Sequence, residues 1–437
     1  MKVGFVSLGC SKNLVDTEKT IDIFKKHGYD IVNNPKEAEI IVINTCGFIE
    51  TAKEEAINTI LEMAEYKKEN CKYIIAMGCL VQRYRDELEK SLPEVDLFIK
   101  YDEYDTIWSQ IDNLINKDII HEKEEDIPFN KLQDRVITTG DNFAYVKIAD
   151  GCNNCCTFCA IPYIRGRFES RPMEDIIDEV KKLAKSGYKE IILIAQDTTK
   201  YGIDIYGKPK LAELLKKLCK IDGIKWIRFL YAYPETIDDK LIKVVKKNEK
   251  ICKYFDIPIQ HISDSVLKRM NRKSNSESIE LLIKKLREKI PNVIIRTTVM
   301  VGFPGETQED FEKLCNFVES AKFDKLGAFA YSKEEGTPAA KLKEQVHPMT
   351  KKARYNKIME IQQKVSDENL NKYIGKQLEV LVEGKTIDGK YYVCRSYMDV
   401  PDIDGLIYLN NSKELKIGDF VKCTIKSSIN EYDLLGE

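Results

Sequence analysis

The chain has 437 residues, of which 43% are apolar and 32% are charged, and this is the composition of an ordinary globular protein. Its length exceeds what one hydrophobic core usually serves, so we expect two or three domains. The formal net charge of −2 argues against a protein whose whole surface binds nucleic acid or anionic membranes. No apolar run approaches membrane-spanning length, and the start MKVGFVSLGC is a poor signal peptide, so we expect a cytoplasmic protein.

The 13 cysteines are an odd number in a long chain without an export signal. This argues against a disulfide framework and favours reduced thiols with metal or redox duties. Seven of the cysteines occupy patterned places: Cys10, Cys46, Cys79, Cys152, Cys155, Cys156 and Cys159. The other six are scattered through amphipathic segments, where we interpret them as small core residues: Cys71, Cys219, Cys252, Cys315, Cys394 and Cys423.

The N-terminal domain, predicted for residues 1–120, alternates strand-like apolar runs with helical patterns, which indicates an α/β fold with an open parallel sheet. The runs VGFVSL, EIIVIN and YIIAM lead into Cys10, Cys46 and Cys79, respectively. Loops after parallel strands gather at one edge of a sheet, so these three thiols could converge in space. The first helix is predicted to end at Gly28.

The acidic stretch HEKEEDIPFNKLQDR predicts a linker, which we place at residues 121–138. The central domain, predicted for residues 139–365, again alternates strands with amphipathic helices. Its six candidate strands are AYVKI (144–148), EIILIA (190–195), WIRFLY (226–231), FDIPI (255–259), VIIRTTVM (293–300) and LGAFAY (326–331). Six such units predict a partial (βα)6 barrel rather than a complete barrel of eight.

The C-terminal domain, predicted for residues 366–437, contains short alternating strands such as QLEVLVEG and DFVKCTIKSS, separated by turn signals. This pattern predicts a small antiparallel β-barrel of the kind that often binds nucleic acid or protein. Residues 373–437 carry eight basic and eleven acidic side chains, a net charge of −3. That sign is wrong for a strong phosphate-binding surface, although solvated surface charge explains it equally well.

Four cysteines lie within eight positions in DGCNNCCTFCAIP, residues 150–162, directly after the first barrel strand. Barrel enzymes place their chemistry in such loops. One partition uses Cys152, Cys156 and Cys159 and leaves Cys155 out; the other pairs Cys152 with Cys155 and Cys156 with Cys159, as in half of a zinc motif. Zinc ribbons separate their pairs by about 15 to 20 residues, so the three-thiolate partition is favoured and structural zinc is the alternative.

An iron-sulfur cube normally takes four cysteines, so three cysteines leave one iron with open coordination sites. The spacing C-x3-C-x2-C, with Phe158 before the last cysteine, resembles the radical S-adenosylmethionine superfamily. The resemblance implies that Cys152, Cys156 and Cys159 bind a 4Fe-4S cluster whose open iron chelates S-adenosylmethionine. An electron from the cluster then cleaves the sulfonium to give a deoxyadenosyl radical. Cys155 is an extra thiol that the resemblance leaves without a role, although it could exchange with Cys156.

The order of the three domains is similar to that of the methylthiotransferases within this superfamily, with a C-terminal barrel like a TRAM domain. The resemblance implies that Cys10, Cys46 and Cys79 bind a second 4Fe-4S cluster. In the family the radical removes a hydrogen from an unactivated carbon and the second cluster presents sulfur to that carbon. Without the resemblance, three buried cysteines at strand ends would explain this trio, and a non-catalytic iron-sulfur or zinc scaffold would be the alternative for the protein.

Two branches of the methylthiotransferases modify different substrates, an aspartate β-carbon in a small-subunit ribosomal protein (protein twelve) or an adenosine in tRNA. The stretches VGFVSLGCSKNLVDTE, INTCGFIETAKEE, DIPIQHISDSVLKRM and VPDIDGLIYLNN resemble the ribosomal-protein (RimO-type) branch. Ser11, where that branch is expected to have Pro, and EGTPAA (335–340) depart from it, so tRNA modification is the alternative. The acidic C-terminal barrel suits a basic ribosomal protein better than a tRNA backbone.

Residues that end the barrel strands are candidates for binding S-adenosylmethionine, because they face the same edge as the cysteine loop. These are Gln196, Asp197, Gln260 and Gly302, each of which a plain turn would explain equally well. His261 is a further candidate, although a lone histidine is more often structural, and Thr307 with Asp310 resembles a helix N-cap. The resemblance also implies an electron donor such as flavodoxin or ferredoxin, a sulfur donor, and a ribosomal protein or assembled subunit as partner. No catalytic side chain is predicted, because the clusters carry the chemistry.

Overall fold

The computed structural model describes residues 1–116, 128–132, 134–410 and 413–437. Its N-terminal part is a five-stranded parallel sheet in the order β2-β1-β3-β4-β5, flanked by helices. In chain order the elements are β1 (Lys2–Ser7), α1 (Ser11–Lys26), β2 (Asp30–Val32), β3 (Ile40–Thr45), α2 (Glu50–Ala64), β4 (Tyr73–Gly78), α3 (Cys79–Ser91), β5 (Leu97–Ile99) and α4 (Ile107–Ile115).

The three cysteine-bearing strands of the prediction are the three neighbours β1, β3 and β4 at the centre of this sheet. All six residues of β3 are buried, which explains its continuous apolar run. Cys10 precedes α1, Cys46 directly follows β3, and Cys79 begins α3. Gly28 follows the end of α1 with a φ of +81°, as predicted for a left-handed position after a helix.

The central part contains all six predicted strands as two three-stranded parallel sheets, ordered β6-β9-β10 and β11-β12-β13. A parallel bridge between Ile227 and Ile251 joins the two sheets, so they form one open curved wall. The predicted partial barrel is therefore confirmed. Its elements are β6 (Phe143–Lys147), β7 (Ala149–Asp150), α5 (Ile161–Ile164), β8 (Glu169–Ser170), α6 (Met173–Lys185), β9 (Glu190–Ile194), α7 (Ile203–Tyr206), α8 (Leu211–Leu218), β10 (Trp226–Phe229), α9 (Asp239–Lys247), β11 (Tyr254–Gln260), α10 (Asp264–Arg269), α11 (Ser276–Lys289), β12 (Ile294–Val301), α12 (Gln308–Ala321), β13 (Lys325–Ala330) and α13 (Pro348–Asn371).

The predicted linker, residues 121–138, lies partly outside the described residues, which omit 117–127 and 133. Its described residues, 128–132 and 134–138, pack against both neighbouring domains. The carbonyl of buried Phe129 accepts a hydrogen bond of 3.0 Å from Lys19 Nζ. Arg135 pairs with Glu18 of α1 and, at 3.0 Å, with Glu179 of α6. This segment therefore connects the first two domains through buried contacts as well as through the chain.

The C-terminal part is a closed five-stranded barrel in the order β14-β15-β16-β18-β17. Its strands are β14 (Gln377–Lys385), β15 (Tyr392–Ser396), β16 (Ile407–Leu409), β17 (Phe420–Ser428) and β18 (Leu434–Gly436). The predicted small barrel is confirmed, with one feature that the strand pattern did not indicate: β16 and β18 are parallel, whereas the other neighbours are antiparallel. A ring of five strands cannot alternate in direction throughout, so closure requires at least one parallel pair.

The C-terminal barrel closes the amino ends of the central strands. Glu190, the first residue of β9, accepts hydrogen bonds from Arg228 of β10 at 2.9 Å and from Arg395 of β15 at 2.6 Å, and all three side chains are buried. Lys325, the first residue of β13, pairs with Asp399 at 2.9 Å. The N-terminal domain covers the opposite, carboxyl ends, where α1 packs on β6. The loops that carry the cysteines of both domains therefore face each other. None of the helices in the described ranges has the length and apolar composition of a membrane span.

Candidate metal centres

The three N-terminal cysteine loops pack directly on one another at the carboxyl edge of the first sheet. A Cβ built on Gly9, whose φ is +87°, would lie 2.7 Å from Cβ and 2.9 Å from Sγ of Cys46. A Cβ on Gly47 would lie 3.0 Å from the carbonyl carbon of Cys79. Only glycine permits both approaches. The loop of Cys10 thus touches Cys46 and the loop of Cys46 touches Cys79, so the convergence expected from the strand ends is present.

Positive charge surrounds this N-terminal trio (Cys10, Cys46 and Cys79). Burial raises the pKa of Cys10, but Lys12 and Arg165 outweigh it and the net shift is downward. Burial raises the pKa of Cys79 to about 11, against the opposing effect of Arg165. Two cations beside three thiols suit a group that requires thiolates.

The central trio (Cys152, Cys156 and Cys159) lies on the loop after β7. Cys156 Sγ is 3.5 Å from the hydroxyl of Tyr233 and 3.8 Å from Nη1 of Arg272, and the N–H of Cys159 donates to the carbonyl of Cys156 at 3.0 Å. Burial raises the pKa of Cys159 to about 12, so this thiol stays protonated unless a metal displaces the proton.

Cys155 is the exposed cysteine of this loop, whereas Cys152 and Cys156 are buried. Its φ is +51°, and its carbonyl accepts a hydrogen bond of 2.9 Å from Asn271 Nδ2. In the described part of the chain, no three His, Cys, Asp or Glu side chains are spaced to hold a single metal ion. The cysteines of a cube each bind a different iron, so they stand farther apart than the ligands of one ion.

Arg165 extends from the chain segment after the central trio to the N-terminal trio. It follows α5, six residues after Cys159, and extends into the N-terminal domain, where Nη2 donates to Asn13 Oδ1 at 2.5 Å and lies 3.7 Å from Cys79 Sγ. The same guanidinium pairs with Asp16 and with Asp150, each at 2.9 Å.

Lys147 completes this buried network by pairing with Asp16 at 2.5 Å and with Asp150 at 2.7 Å. Sequence reasoning missed Arg165, Asp16 and Lys147. Nothing in the spacing of the motifs marks Arg165. Nothing in the sequence of α1 indicates that its polar residues are buried, yet Asp16 is fully buried.

Two of the predicted cofactor contacts, Gln196 and Asp197, lie beside the central trio. Gln196 Nε2 donates to Asp150 Oδ1 at 2.8 Å, and its buried Oε1 has no partner among the described residues. Asp197 accepts from Asn154 Nδ2 at 2.9 Å and from Thr199 at 2.6 Å. A cavity of about 210 Å³ adjoins Cys156 and is also lined by Asn154 and Arg272. The buried, unpartnered oxygen of Gln196 is consistent with a polar ligand at this edge.

The other two predicted contacts end neighbouring strands. Gln260 ends β11 with a φ of +69°, next to a register shift that begins at Ile257. Gly302 follows β12, donates its N–H to Glu306 Oε2 at 2.6 Å and packs against the side chain of Lys351. The approach of Lys351 thus explains this glycine, and the contacts of Gln260 and Gly302 with a cofactor stay predictions.

Two further predictions concern the helix N-cap at Thr307 and the side chain of His261. The expected N-cap is confirmed: the N–H of Asp310 donates to Thr307 Oγ1 at 3.1 Å, and Asp310 Oδ2 accepts from the N–H of Thr307 at 3.0 Å. His261 is fully buried, and its Nδ1 accepts from the N–H of Ser263 at 2.9 Å. Burial lowers the pKa of His261 to about 4, so the ring is neutral at pH 7, and its buried Nε2 has no hydrogen-bond partner among the described residues.

Three family models match the chain in succession. Residues 2–100 match the Uncharacterized protein family UPF0004, residues 146–318 the Radical SAM superfamily and residues 374–437 the TRAM domain. These matches fall on the first sheet, the partial barrel and the closed barrel, respectively.

Several relatives match over the full length. The chain is 61% identical over 438 residues to a protein of Alkaliphilus oremlandii named ribosomal protein uS12 methylthiotransferase RimO, covering 100% of this chain and 99% of that protein. Proteins of the same name from Thermoanaerobacter sp. and Clostridium perfringens are 52% and 51% identical, over 100% of this chain and 99% and 97% of theirs.

Among solved structures, a radical S-adenosylmethionine methyltransferase, TsrM, from Kitasatospora setae aligns with a TM-score of 0.58 at 12% identity, over 77% of this chain and 73% of that one. The cobalamin-dependent S-adenosylmethionine radical enzyme OxsB aligns with a TM-score of 0.51 at 13% identity, over 83% of this chain and 56% of that one. At such low identity these alignments show a shared fold and nothing further.

Proposed function

Because the chain belongs to the family of ribosomal protein uS12 methylthiotransferases, which are radical S-adenosylmethionine enzymes, we propose that it methylthiolates the β-carbon of an aspartate in ribosomal protein uS12. The observation that carries the proposal is the arrangement of two cysteine trios, each at the carboxyl edge of its own parallel sheet, on facing domains bridged by Arg165. An enzyme with a single cluster, or an iron-sulfur scaffold, would not require two cysteine-bearing loops on facing domains.

The central trio would hold a 4Fe-4S cluster that binds S-adenosylmethionine, and the N-terminal trio would hold a second 4Fe-4S cluster. When bound, these groups supply the radical that removes the hydrogen and the sulfur that replaces it. The thiols fit this role because they are grouped, buried or half-buried, and accompanied by cations. Gln196, Asp197, Gln260 and Gly302 are proposed contacts of S-adenosylmethionine, and the unpartnered Oε1 of Gln196 is the feature that supports this best.

The side chains around the trios position the groups and exclude water. Arg165 is fixed by Asp16 and Asp150, so it presents a preorganised donor to Cys79 without side-chain reorganisation. Arg272 and Tyr233 play the matching role at Cys156. Cys79 and Asp16 belong to the N-terminal domain, whereas Arg165, which contacts both of them, belongs to the central domain. The docking of the two domains therefore assembles the site.

The partners follow from this chemistry. The substrate is uS12, free or in an assembled small subunit, and the acidic C-terminal barrel favours a basic protein partner. The reaction also requires an electron donor, such as flavodoxin or ferredoxin, and a sulfur donor, and we place the protein in the cytoplasm with its substrate. The tRNA alternative has no support among the relatives described above, which all carry the ribosomal-protein name. The limits 1–120, 121–138, 139–365 and 366–437 remain our proposal for the domains and linker.

The test is anaerobic incubation of the reconstituted enzyme with S-adenosylmethionine, a reductant and sulfide, and with either uS12 or tRNA. Mass spectrometry should find one methylthio group on an aspartate of uS12 and none on tRNA. A variant with Cys152, Cys156 and Cys159 changed to Ala is the control and should give no product. Modification of tRNA alone would overturn the proposed substrate.

A further inference from the structure

Lys12 is a buried cation at the mouth of the partial barrel. It is the second residue of α1, two positions after Cys10, and it is 6% exposed. Its Nζ lies 3.6 Å from the centroid of the Tyr231 ring. Tyr231 follows β10 at the carboxyl edge of the central domain and has a φ of +60°, an uncommon conformation for an aromatic residue. Lys12 therefore extends from the N-terminal domain to the place where the two domains meet.

Lys12 differs from the other buried lysines of this interface in its partners. Lys147 pairs with Asp16 and Asp150, and Lys19 donates to the carbonyl of Phe129. Across the described ranges, no carboxylate forms an ion pair with Lys12. Its charged and polar neighbours are Tyr231, the thiol of Cys10 and the guanidinium of Arg165.

A buried ammonium without a carboxylate is unusual, because desolvating a charge is costly and a ring face offsets only part of that cost. In native proteins a buried cation usually forms an ion pair with a nearby acidic residue, as Lys147 and Arg165 do here with Asp16. Apart from the thiol of Cys10 and the hydroxyl of Tyr231, no acidic group of the described residues lies beside Lys12, and a carboxylate from outside the chain would supply the ion pair that it lacks. The ring of Tyr231 covers one side of Nζ.

We propose that Lys12 binds the side-chain carboxylate of the substrate aspartate. The inference rests on the proposed function and adds to it the residue that selects the substrate. In aspartate the carboxylate carbon is bonded directly to the β-carbon that is modified. A cation that holds the carboxylate therefore holds the reacting carbon, and a cation two residues from Cys10 holds it beside the N-terminal trio. Lys12 thereby distinguishes aspartate from its neutral isostere asparagine.

The experiment measures binding rather than turnover. The anaerobically reconstituted holoenzyme, without S-adenosylmethionine, is titrated with uS12 and with uS12 in which the modified aspartate is replaced by asparagine. The wild type should bind the aspartate form about tenfold to a hundredfold more tightly. Lys12→Met should bind both forms with similar, weak affinity, and Lys12→Arg should restore part of the preference. Lys25→Met is the matched control, because Lys25 is an exposed lysine of the same helix, and it should keep the wild-type preference.

Iron content is measured for every variant. Loss of the preference in Lys12→Met with full iron content supports the inference, whereas an unchanged preference overturns it. A structural role would lower stability or iron content without changing the ratio of the two affinities. If Lys12→Met loses iron, Lys12→Gln is used instead, and iron loss there too would make Lys12 a residue of the metal centre and overturn the inference. A wild type that modifies tRNA but not uS12 would refute the proposed function itself.

Discussion

Arg165 of the central domain lies 3.7 Å from Sγ of Cys79 in the N-terminal domain, and it is buried there between Asp16 and Asp150. The residue thus belongs to the loop region of one trio and contacts the other. Because both carboxylates hold the guanidinium, its position depends on the two domains being docked. The proposed division of labour between two clusters therefore has a physical link in this side chain.

Arg165→Met should lower the reduction potential of the N-terminal cluster, because a cation and a hydrogen-bond donor near its sulfur are lost. It should also reduce methylthiolation by about 10 to 100-fold, as is usual when a residue that orients a metal ligand is removed. Potentiometric titration followed by electron paramagnetic resonance measures the first effect. Arg167→Met, which removes an exposed arginine two residues away, is the control. An unchanged potential in Arg165→Met would contradict the assigned contact.

Cys155→Ser should retain the full iron content and activity, because Cys155 is the exposed cysteine of its loop. Cys156→Ser, one residue away, should lose the central cluster, which amounts to about four irons. Iron analysis of the two reconstituted variants measures the difference. Equal loss in both would favour the partition into two cysteine pairs.

Glu190→Gln should destabilise the joint between the central domain and the C-terminal barrel by about 3 to 5 kcal/mol, because Arg228 would remain buried without a carboxylate and Arg395 would keep only Glu383. Glu379→Gln is the matched control: Glu379 pairs with Lys225 at 3.0 Å, but both side chains are nearly half exposed, so the loss should stay below about 1 kcal/mol. Urea unfolding monitored by circular dichroism compares the two variants. Similar midpoints would show that the buried triad does not hold the domains together.

His261 should make the protein less stable in acid. Its pKa is about 4 when folded because of burial and about 6.5 when unfolded, so between these values the unfolded chain binds more protons. Stability therefore falls as the pH drops from about 6.5 towards 4, by about 2 kcal/mol between pH 7 and pH 5. His261→Asn can still accept the hydrogen bond from Ser263 and should lose less stability over this interval. The urea unfolding midpoints of the wild type and of His261→Asn at pH 7 and pH 5 test this. An equal decrease of the midpoint in both proteins would contradict it.

Much of the fold was predictable because buried parallel strands appear as continuous apolar runs. All six central strands and the three cysteine-bearing strands lie where those runs predict them. The parallel pair of β16 and β18 was not predictable from alternation, since it follows from closing a ring with an odd number of strands.

The interface was hidden for a different reason. Lys12, Asp16 and Lys19 make α1 look like an exposed helix, and they are buried only because Tyr231, Lys147 and Phe129 lie opposite them. Those partners are distant in the chain, so local periodicity carries no sign of them. The grouping of the cysteines into two trios could be predicted from spacing and strand ends, whereas the contact of Arg165 with Cys79 depends on the docking of the two domains.

The most direct test of the central claim is anaerobic iron and sulfide analysis with electron paramagnetic resonance on three reconstituted proteins. These are the wild type, a variant with Cys10, Cys46 and Cys79 changed to Ala, and a variant with Cys152, Cys156 and Cys159 changed to Ala. Two independent clusters predict about eight irons in the wild type and about four in each variant, with different spectra for the two variants. About four irons in the wild type, unchanged when Cys10, Cys46 and Cys79 are replaced, would contradict the account.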